Sequence, residues 1–400
     1  MKRRSTLLVI LIAYASFIGQ GLPGGLLGVA WPSIRHTFGL RLDAIAALLT
    51  VATTGSLLTA LTSGAVVARI GIGRFLLAGT VSAVIGLVGY VLTPGWWVMV
   101  ACGLLVGAAA GAVDAGLNAY FAANHSARLM NWLHACFGLG AMLGPLLMTA
   151  LLTAGQSWRW GYVAVAVTQA LVVVGLLLTL DRWEITLPTA DTAEAGGVQL
   201  KVAPATATLM LPLVWLGVLI FFLMSGTETA AGQWSYSLFI ESRAVPVQVA
   251  GLWVGVYWAA LTGGRILHGL TGDRLSINAM VRASTIALTA GAALVWWNPS
   301  DLLGFLGLAL MGLGFAPIFP LLQLVTPSRV GLEHAANAIG YQSAAGYLGM
   351  GLMPGLAGKL AERWGLEVVG PFLLAGSLGM LVLYEIILRR DRHVVRSSRV

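Results

Sequence analysis

Long apolar runs, separated by short polar segments, make up most of this 400-residue chain. A bilayer core of about 30 Å is crossed by about 20 residues of α-helix, and twelve runs of that kind can be placed. They cover residues 7–30, 44–67, 75–94, 97–120, 132–154, 160–180, 211–238, 248–271, 279–297, 302–325, 334–357 and 367–388. Backbone groups in lipid must be satisfied within their own segment, and the runs are too long for barrel strands. The pattern therefore predicts an all-α polytopic membrane protein.

Composition agrees with this prediction. Hydrophobic residues make up 58% of the chain and charged residues only 10%, against roughly a quarter in a soluble domain. The only two cysteines, Cys102 and Cys136, fall inside predicted spans, so neither a disulfide framework nor a thiolate metal site is expected. We expect no metal and no cofactor.

The net charge of +8 is interpreted from the positions of the basic residues along the chain. Most of them lie in segments on the same side as the N-terminus, which by the positive-inside rule places both termini in the cytoplasm. Several tryptophans, including Trp31 and Trp158, fall near the opposite ends of the spans, as expected for interfacial anchors. The basic tail is interpreted as a topology signal in contact with anionic lipid, with no nucleic-acid partner. The predicted location is the cell membrane.

Residues 181–210 interrupt the apolar pattern with charged residues, prolines and threonines. We interpret them as a cytoplasmic linker between a six-helix bundle at 1–180 and a second one, with the basic tail, at 211–400. A shift of 205 residues lays Gly64 on Gly269, and a shift of 206 lays Asn131 on Asn337. Parallel repeats of this kind are typical of a large transporter class, in which the substrate binds between the halves near mid-membrane.

The stretch "GRILHGLTGDRL" contains Gly269, Asp273 and Arg274 at the inner end of the eighth span. It resembles the loop signature of the major facilitator superfamily, in which the glycine permits close helix approach and the charged residues form a gate. The first-half copy, "SGAVVARIGIGRF", keeps its glycine and Arg69 but has Ala68 where the acid is expected. This departure weakens the gate that the resemblance implies for the first half.

The stretch "GQGLPG" in the first span matches a dinucleotide-binding fingerprint literally. That fingerprint requires a glycine turn between a strand and a helix, whereas this stretch lies inside an apolar helix. We therefore interpret its glycines as close packing of the first helix. The stretch "GLGAMLGP" in the fifth span is interpreted as a close-packing segment as well. Gln20 within "GQGLPG" is a candidate for the wall of a substrate cavity.

Asp114 stands inside the fourth span. A carboxylate at the centre of a membrane helix costs about 2.5–3.5 kcal/mol on insertion scales, so it should face the protein interior. Asn118, one turn later, shares its face. Burial favours the neutral form of a carboxyl group, as a reversible proton carrier requires. The alternative is a structural acid neutralised by a buried cation.

His134 in the fifth span is a further candidate. It is either a second titrating group or a polar contact between helices.

Glu228 is the other acid well inside a span. Gln233, Trp234 and Tyr236 follow it, and an amide with two aromatic rings suits a ligand that offers hydroxyl groups and C–H faces. The alternative is a structural role for Glu228 and interfacial anchoring for the rings. Arg265 is favoured as half of a structural ion pair. Further polar or aromatic candidates in second-half spans are Tyr257, Gln323, Asn337, Tyr341 and Gln342.

The segment from Asp114 through Asn118 and Tyr120 to "LMN", ending at Asn131, and on through "FGLGAMLGP" resembles the fucose/hexose proton symporter family. Ala119 replaces the proline that the family carries after its asparagine. The resemblance implies a twelve-span fold, sugar-linked protonation at Asp114 and asparagines at matching positions.

Glu228 followed by Trp234 and Tyr236 also resembles the glucose-transporting branch of that family. The fucose permease carries an acid in its first helix, where this chain offers only Gln20, so its coupling residues cannot all be carried over.

The predicted function is secondary active transport: proton-coupled symport of a sugar or a similar polar solute by alternating access, carried out by a monomer. The alternative is a proton-driven antiporter that exports drugs or metabolites. Sodium could replace the proton, because an acid with nearby amides also binds a hard cation. A receptor or an intramembrane enzyme is disfavoured, since neither a zinc-binding His pair nor a phosphate loop is found.

Overall fold

The computed structural model describes residues 2–183, 203–271 and 276–397. Within these ranges the chain is helical, with no strand. The α-helices are α1 Lys2–Phe38, α2 Ile45–Ile70, α3 Ile72–Leu92, α4 Trp96–Asn124, α5 Ala127–Thr153, α6 Arg159–Leu178, α7 Ala205–Leu209, α8 Pro212–Ser237, α9 Val247–Thr271, α10 Ile277–Trp297, α11 Asp301–Phe315, α12 Ile318–Val330, α13 Leu332–Trp364 and α14 Val369–Ser397. The prediction of an all-α fold is confirmed.

Ten helical segments in the described part of the chain are long and apolar enough to cross a membrane. They coincide with ten of the twelve predicted spans. The other two predicted spans correspond to α9 and α13, which form helices of sufficient length but carry more polar residues. Every predicted span is therefore helical, and the chain is a multi-pass membrane protein.

The predicted span 302–325 is broken into α11 and α12. The break falls at Ala316 and Pro317, and Pro320 follows one turn into α12. Proline removes a backbone N–H and clashes with the preceding turn, which explains why the helix cannot continue through this point. The region Asp301–Val330 still qualifies as one candidate membrane span, so the predicted span is confirmed, with a break that the sequence analysis did not foresee.

Contacts between Cα atoms group the chain into two compact units. The first contains α1–α6 together with Ser235–Ala259. The second contains α7, α8 up to Trp234, and the helices from Ala260 onward. The predicted linker at 181–210 falls largely on residues outside the described ranges, so the predicted domain boundaries stay a prediction.

In the first unit, α1 packs against α5 with almost no side chain between the two backbones. A Cβ atom added at Gly21 would fall on the backbone of Phe137, and one added at Gly140 would fall on that of Ile18. Lipid provides no hydrophobic driving force for helix association, so helices in membranes associate through close packing, which small residues allow. The interpretation of "GQGLPG" and "GLGAMLGP" as packing segments is confirmed.

In the second unit, α8 packs against α13 in the same way. A Cβ atom added at Gly349 would fall on the backbone of Phe222, and one at Gly226 would meet the side chain of Met353. The same type of packing, with backbones in contact at glycines, thus joins the first and fifth helices of one predicted repeat and the corresponding helices of the other. This likeness supports the internal repeat read from the sequence.

Candidate functional site

Asp114 lies in the C-terminal half of α4, where its carboxylate accepts a hydrogen bond from the Asn118 amide. The Nδ2–Oδ1 distance is 3.0 Å, and both side chains are half-buried. The spacing of four residues places them one above the other on a helix face. The structure therefore brings together the acid and the amide that the sequence analysis paired.

Gln20 of α1 reaches the same stretch of α4. Its Nε2 donates to the carbonyl of Ala110, 3.3 Å away, one turn before Asp114. Its Oε1 is buried and has no hydrogen-bond partner among the described residues. A buried amide oxygen without a donor is costly, so this oxygen is suited to accept a hydroxyl hydrogen from a ligand.

The position of α4 is fixed by its contact with α2. Gly107 and Gly111 lie directly on the α2 backbone, and the Ser56 hydroxyl donates to the Gly107 carbonyl at 2.8 Å. Because these contacts immediately precede Asp114, the acid stands on a helix that can shift little without losing them.

Glu228 of α8 has a different partner. Its carboxylate lies 4.0 Å from the guanidinium of Arg265 on α9, and the two side chains are 15% and 25% exposed. Such low exposure makes the attraction stronger than between surface charges. Glu228 is thus compensated by a cation on another helix, and the predicted structural role of Arg265 agrees with this geometry.

The residues after Glu228 are deeply buried. Trp234 donates its indole N–H to the Pro354 carbonyl of α13 at 2.9 Å. Gln233 is also buried, and its Nε2 has no partner among the described residues. Tyr236 belongs to the first compact unit, whereas Gln233 and Trp234 belong to the second.

Asn337 and Tyr341, both predicted to bind substrate, contact the segment that follows the linker. Asn337 Nδ2 lies 2.9 Å from the Ala203 carbonyl and 3.2 Å from Thr208 Oγ1. The Tyr341 hydroxyl donates to the Ala205 carbonyl at 3.3 Å. In this conformation both side chains hold the start of the second unit.

The remaining second-half candidates make local contacts. Gln323 donates to Ser343 at 3.3 Å, and Gln342 accepts from Thr326 at 3.1 Å. Gln342 also lines a cavity of about 20 Å³ beside Arg329, which is room for about one water molecule. That cavity is too small for a sugar.

Three further candidates lie in the first unit. The His134 ring packs edge-on against Phe17, with 5.6 Å between ring centroids. Asn131 is exposed near the start of α5, and Tyr257 is fully buried beside Trp258.

The predicted gate residues are only partly described. Gly64 and Arg69 lie in exposed positions of α2, and Gly269 lies in α9. Asp273 and Arg274 lie outside the described residues, so the predicted charge pairing of that loop stays a prediction.

The sequence analysis missed Gln169 and His125. Gln169 of α6 is buried, and its amide packs directly over Gly19, next to Gln20. Gln169 is the one amide in its predicted span, and a single amide in an apolar run is the sequence feature that could have identified it. His125, which follows α4, packs against the rings of Tyr120 and Phe121, and burial lowers the pKa of its imidazole.

The half-buried Asp114 and Asn118 thus stand on a glycine-packed helix within repeated apolar helices. The Major Facilitator Superfamily family description matches residues 7–352. The chain belongs to the Major Facilitator Superfamily. This membership confirms the resemblance to the superfamily seen in the sequence, and with it the predicted twelve-span fold.

Curated relatives of this superfamily member span most of its length. It is 26% identical over 385 residues to the membrane protein MosC of Rhizobium meliloti, covering 94% of this chain and 88% of the relative. It is 24% identical over 324 residues to the glucose/mannose transporter GlcP of Bacillus subtilis (strain 168), covering 78% of each.

Two solved structures share the superfamily fold with this chain. The D-xylose-proton symporter superimposes with a TM-score of 0.73 at 14% identity, covering 94% of this chain and 97% of the other. The nucleoside transporter NupG gives a TM-score of 0.73 at 14% identity, with coverage of 96% and 98%. At these identities the likeness concerns the fold.

Proposed function

We propose that this superfamily member is a secondary active transporter that moves a sugar or a similar polar solute together with protons by alternating access. The observation that carries the proposal is the group formed by Asp114, Asn118 and Gln20. It combines a half-buried acid, an amide bonded to it and a buried amide oxygen that has no donor among the described residues.

Each member of this group has a role in the proposal. Asp114 takes up and releases the proton. Asn118 responds to the protonation of Asp114, because its amide donates to the charged carboxylate and must rearrange when the carboxyl group itself gains a hydrogen. Gln20 Oε1 accepts a hydroxyl hydrogen from the solute. A polyhydroxylated ligand supplies the donors that these acceptors need.

Glu228 serves either as a second proton site or as a substrate anchor. Its contact with Arg265 supports a coupling between the charge of this carboxylate and that of the guanidinium. Protonation of Glu228 would therefore release Arg265 from an electrostatic partner. His134 stays a further candidate for proton transfer.

The choice of solute and coupling ion is supported by named relatives. The Bacillus subtilis relative is named a glucose/mannose transporter, and one solved structure of the same fold is a D-xylose-proton symporter. These names make monosaccharides the first solutes to test and the proton the first coupling ion.

Uptake into proteoliposomes tests the proposal. We expect labelled glucose, mannose or xylose to accumulate when an inward proton gradient is imposed, and accumulation to stop when an ionophore collapses the gradient. Protein-free liposomes are the control for leakage. Accumulation that requires sodium would exclude proton coupling.

The same vesicles test the rival function. Proton-driven extrusion of an amphiphilic drug or metabolite, together with no sugar accumulation, would favour an exporter and contradict the proposal.

A further inference from the structure

The second described range begins at Ala203, and its first residues lie on the N-terminal end of α13. One backbone hydrogen bond and three side chains of α13 hold them there. The Ala203 N–H donates to the Glu333 carbonyl at 2.9 Å, and the Ala203 carbonyl accepts from Asn337 at 2.9 Å. We name this arrangement the linker clasp: Ala203–Leu209 held by His334, Asn337 and Tyr341.

The Thr208 hydroxyl is the centre of the linker clasp. It is fully buried and lies 3.2 Å from Asn337 Nδ2 and 2.9 Å from His334 Nδ1. The distances fit one amide hydrogen of Asn337 on the Ala203 carbonyl and the other on Thr208, while the Thr208 hydroxyl also lies 3.4 Å from the Pro204 carbonyl. Removing the Asn337 amide would leave the buried Thr208 hydroxyl and the Ala203 carbonyl without this donor.

The helix inside the linker clasp cannot stand alone. α7 has five residues, whereas isolated helices shorter than about 12–15 residues are marginal in water. Its neighbours Leu209 and Met210 are exposed, so little apolar burial holds it. α7 is therefore folded because it is docked on α13, and undocking would unfold it.

Undocking would lengthen the connection between the two predicted halves. Five helical residues span about 7.5 Å at 1.5 Å per residue, and the same residues extended reach about 17 Å. Release of the linker clasp thus gives the linker about 10 Å of additional reach.

We propose that the linker clasp is a releasable restraint, which folds α7 against α13 in one conformation and frees it in another. Asn337 and Tyr341 are then positioning residues that act on the linker. The docking itself is independent of any transported solute, whereas its effect on the transport rate rests on the proposed function.

Cysteine labelling tests the docking. In a full-length protein with Cys102 and Cys136 replaced by serine, Thr208→Cys places a thiol at the buried centre of the clasp. We expect slow reaction with a maleimide, and an increase of about tenfold when Asn337→Ala is added, because labelling follows the open population. Ser343→Ala, on the same helix and bonded to Gln323, is the matched control and should leave the rate unchanged.

Transport separates the linker clasp from the alternative that Asn337 binds substrate. We expect Asn337→Ala to change the uptake rate severalfold at an unchanged KM. A raised KM with unchanged labelling of the Thr208→Cys thiol would overturn the linker clasp in favour of substrate binding. If the protein accumulates no sugar at all, the proposed function fails, and the labelling comparison still decides whether the clasp exists.

Discussion

The helix pairs α1–α5 and α8–α13 pack in the same way, but the buried acids of the two units have different partners. Each pair brings its backbones together at glycines. Yet the first unit places an acid beside an uncharged amide, Asp114 with Asn118, whereas the second places one beside a cation, Glu228 with Arg265. Packing is therefore repeated, whereas Asp114 and Glu228 contact different kinds of group.

This difference bears on Glu228. Neutralising an acid paired with a guanidinium leaves the cation without its partner in an apolar surrounding. We therefore expect Glu228 to change its state only together with Arg265.

The largest effect is expected from Asp114→Asn. The variant keeps the shape and hydrogen-bonding capacity of the side chain but cannot carry a proton, so accumulation driven by a proton gradient should be lost. Exchange of labelled for unlabelled sugar at equal concentrations should be partly retained, because it needs no net proton movement. Uptake and counterflow in the same proteoliposomes measure both. Unchanged accumulation would remove Asp114 from the coupling mechanism.

The second effect concerns the shared packing. Gly21→Ala drives a methyl group into the Phe137 backbone, whereas Gly24 on the same helix has open space. Overpacking costs about 1–3 kcal/mol, and alanine gains up to about 1 kcal/mol in an open helical position. We therefore expect the two variants to differ by about 2–4 kcal/mol in unfolding free energy, with a lower Tm for Gly21→Ala.

The same experiment applies to α13. Gly349 lies on the Phe222 backbone, whereas Gly340 has no heavy atom within 4 Å of an added Cβ. Gly349→Ala should be less stable than Gly340→Ala by a similar margin. If only one helix pair shows this difference, the packing is not a shared device.

A smaller effect on stability is expected from Glu228→Gln. It leaves the Arg265 guanidinium without its carboxylate partner, at a cost of about 1–3 kcal/mol, below the value for a fully buried pair since both side chains keep some exposure. The double variant Glu228→Gln with Arg265→Gln should recover part of this loss. A double-mutant cycle on Tm measures the coupling, and additive losses would show that the contact contributes nothing.

The fold was largely predictable because apolar length and glycine spacing are local properties of the sequence. Twelve runs predicted twelve helical regions, and "GLGAMLGP" predicted a packing face. The break at Pro317 was missed because hydropathy does not register a lost backbone N–H.

The site was predictable only in part. The pair of Asp114 and Asn118 followed from helical spacing, which is a local rule. The sequence could not predict that Asn337 and Tyr341 bind the segment at Ala203, because these hydrogen bonds join residues more than a hundred positions apart. Polar residues in a span indicate an interior position without indicating what they touch.

The polar character of α13 has a consequence for biosynthesis. Among the described helices, α13 and α9 do not reach the hydropathy of an independent membrane span. Polar groups on such a helix enter the bilayer at lower cost when other helices supply hydrogen-bond partners. Two partners of α13, α8 and α12, are synthesised before it, so we expect α13 to insert against helices already in the membrane, and a chain truncated before α13 to leave their contact face open to lipid.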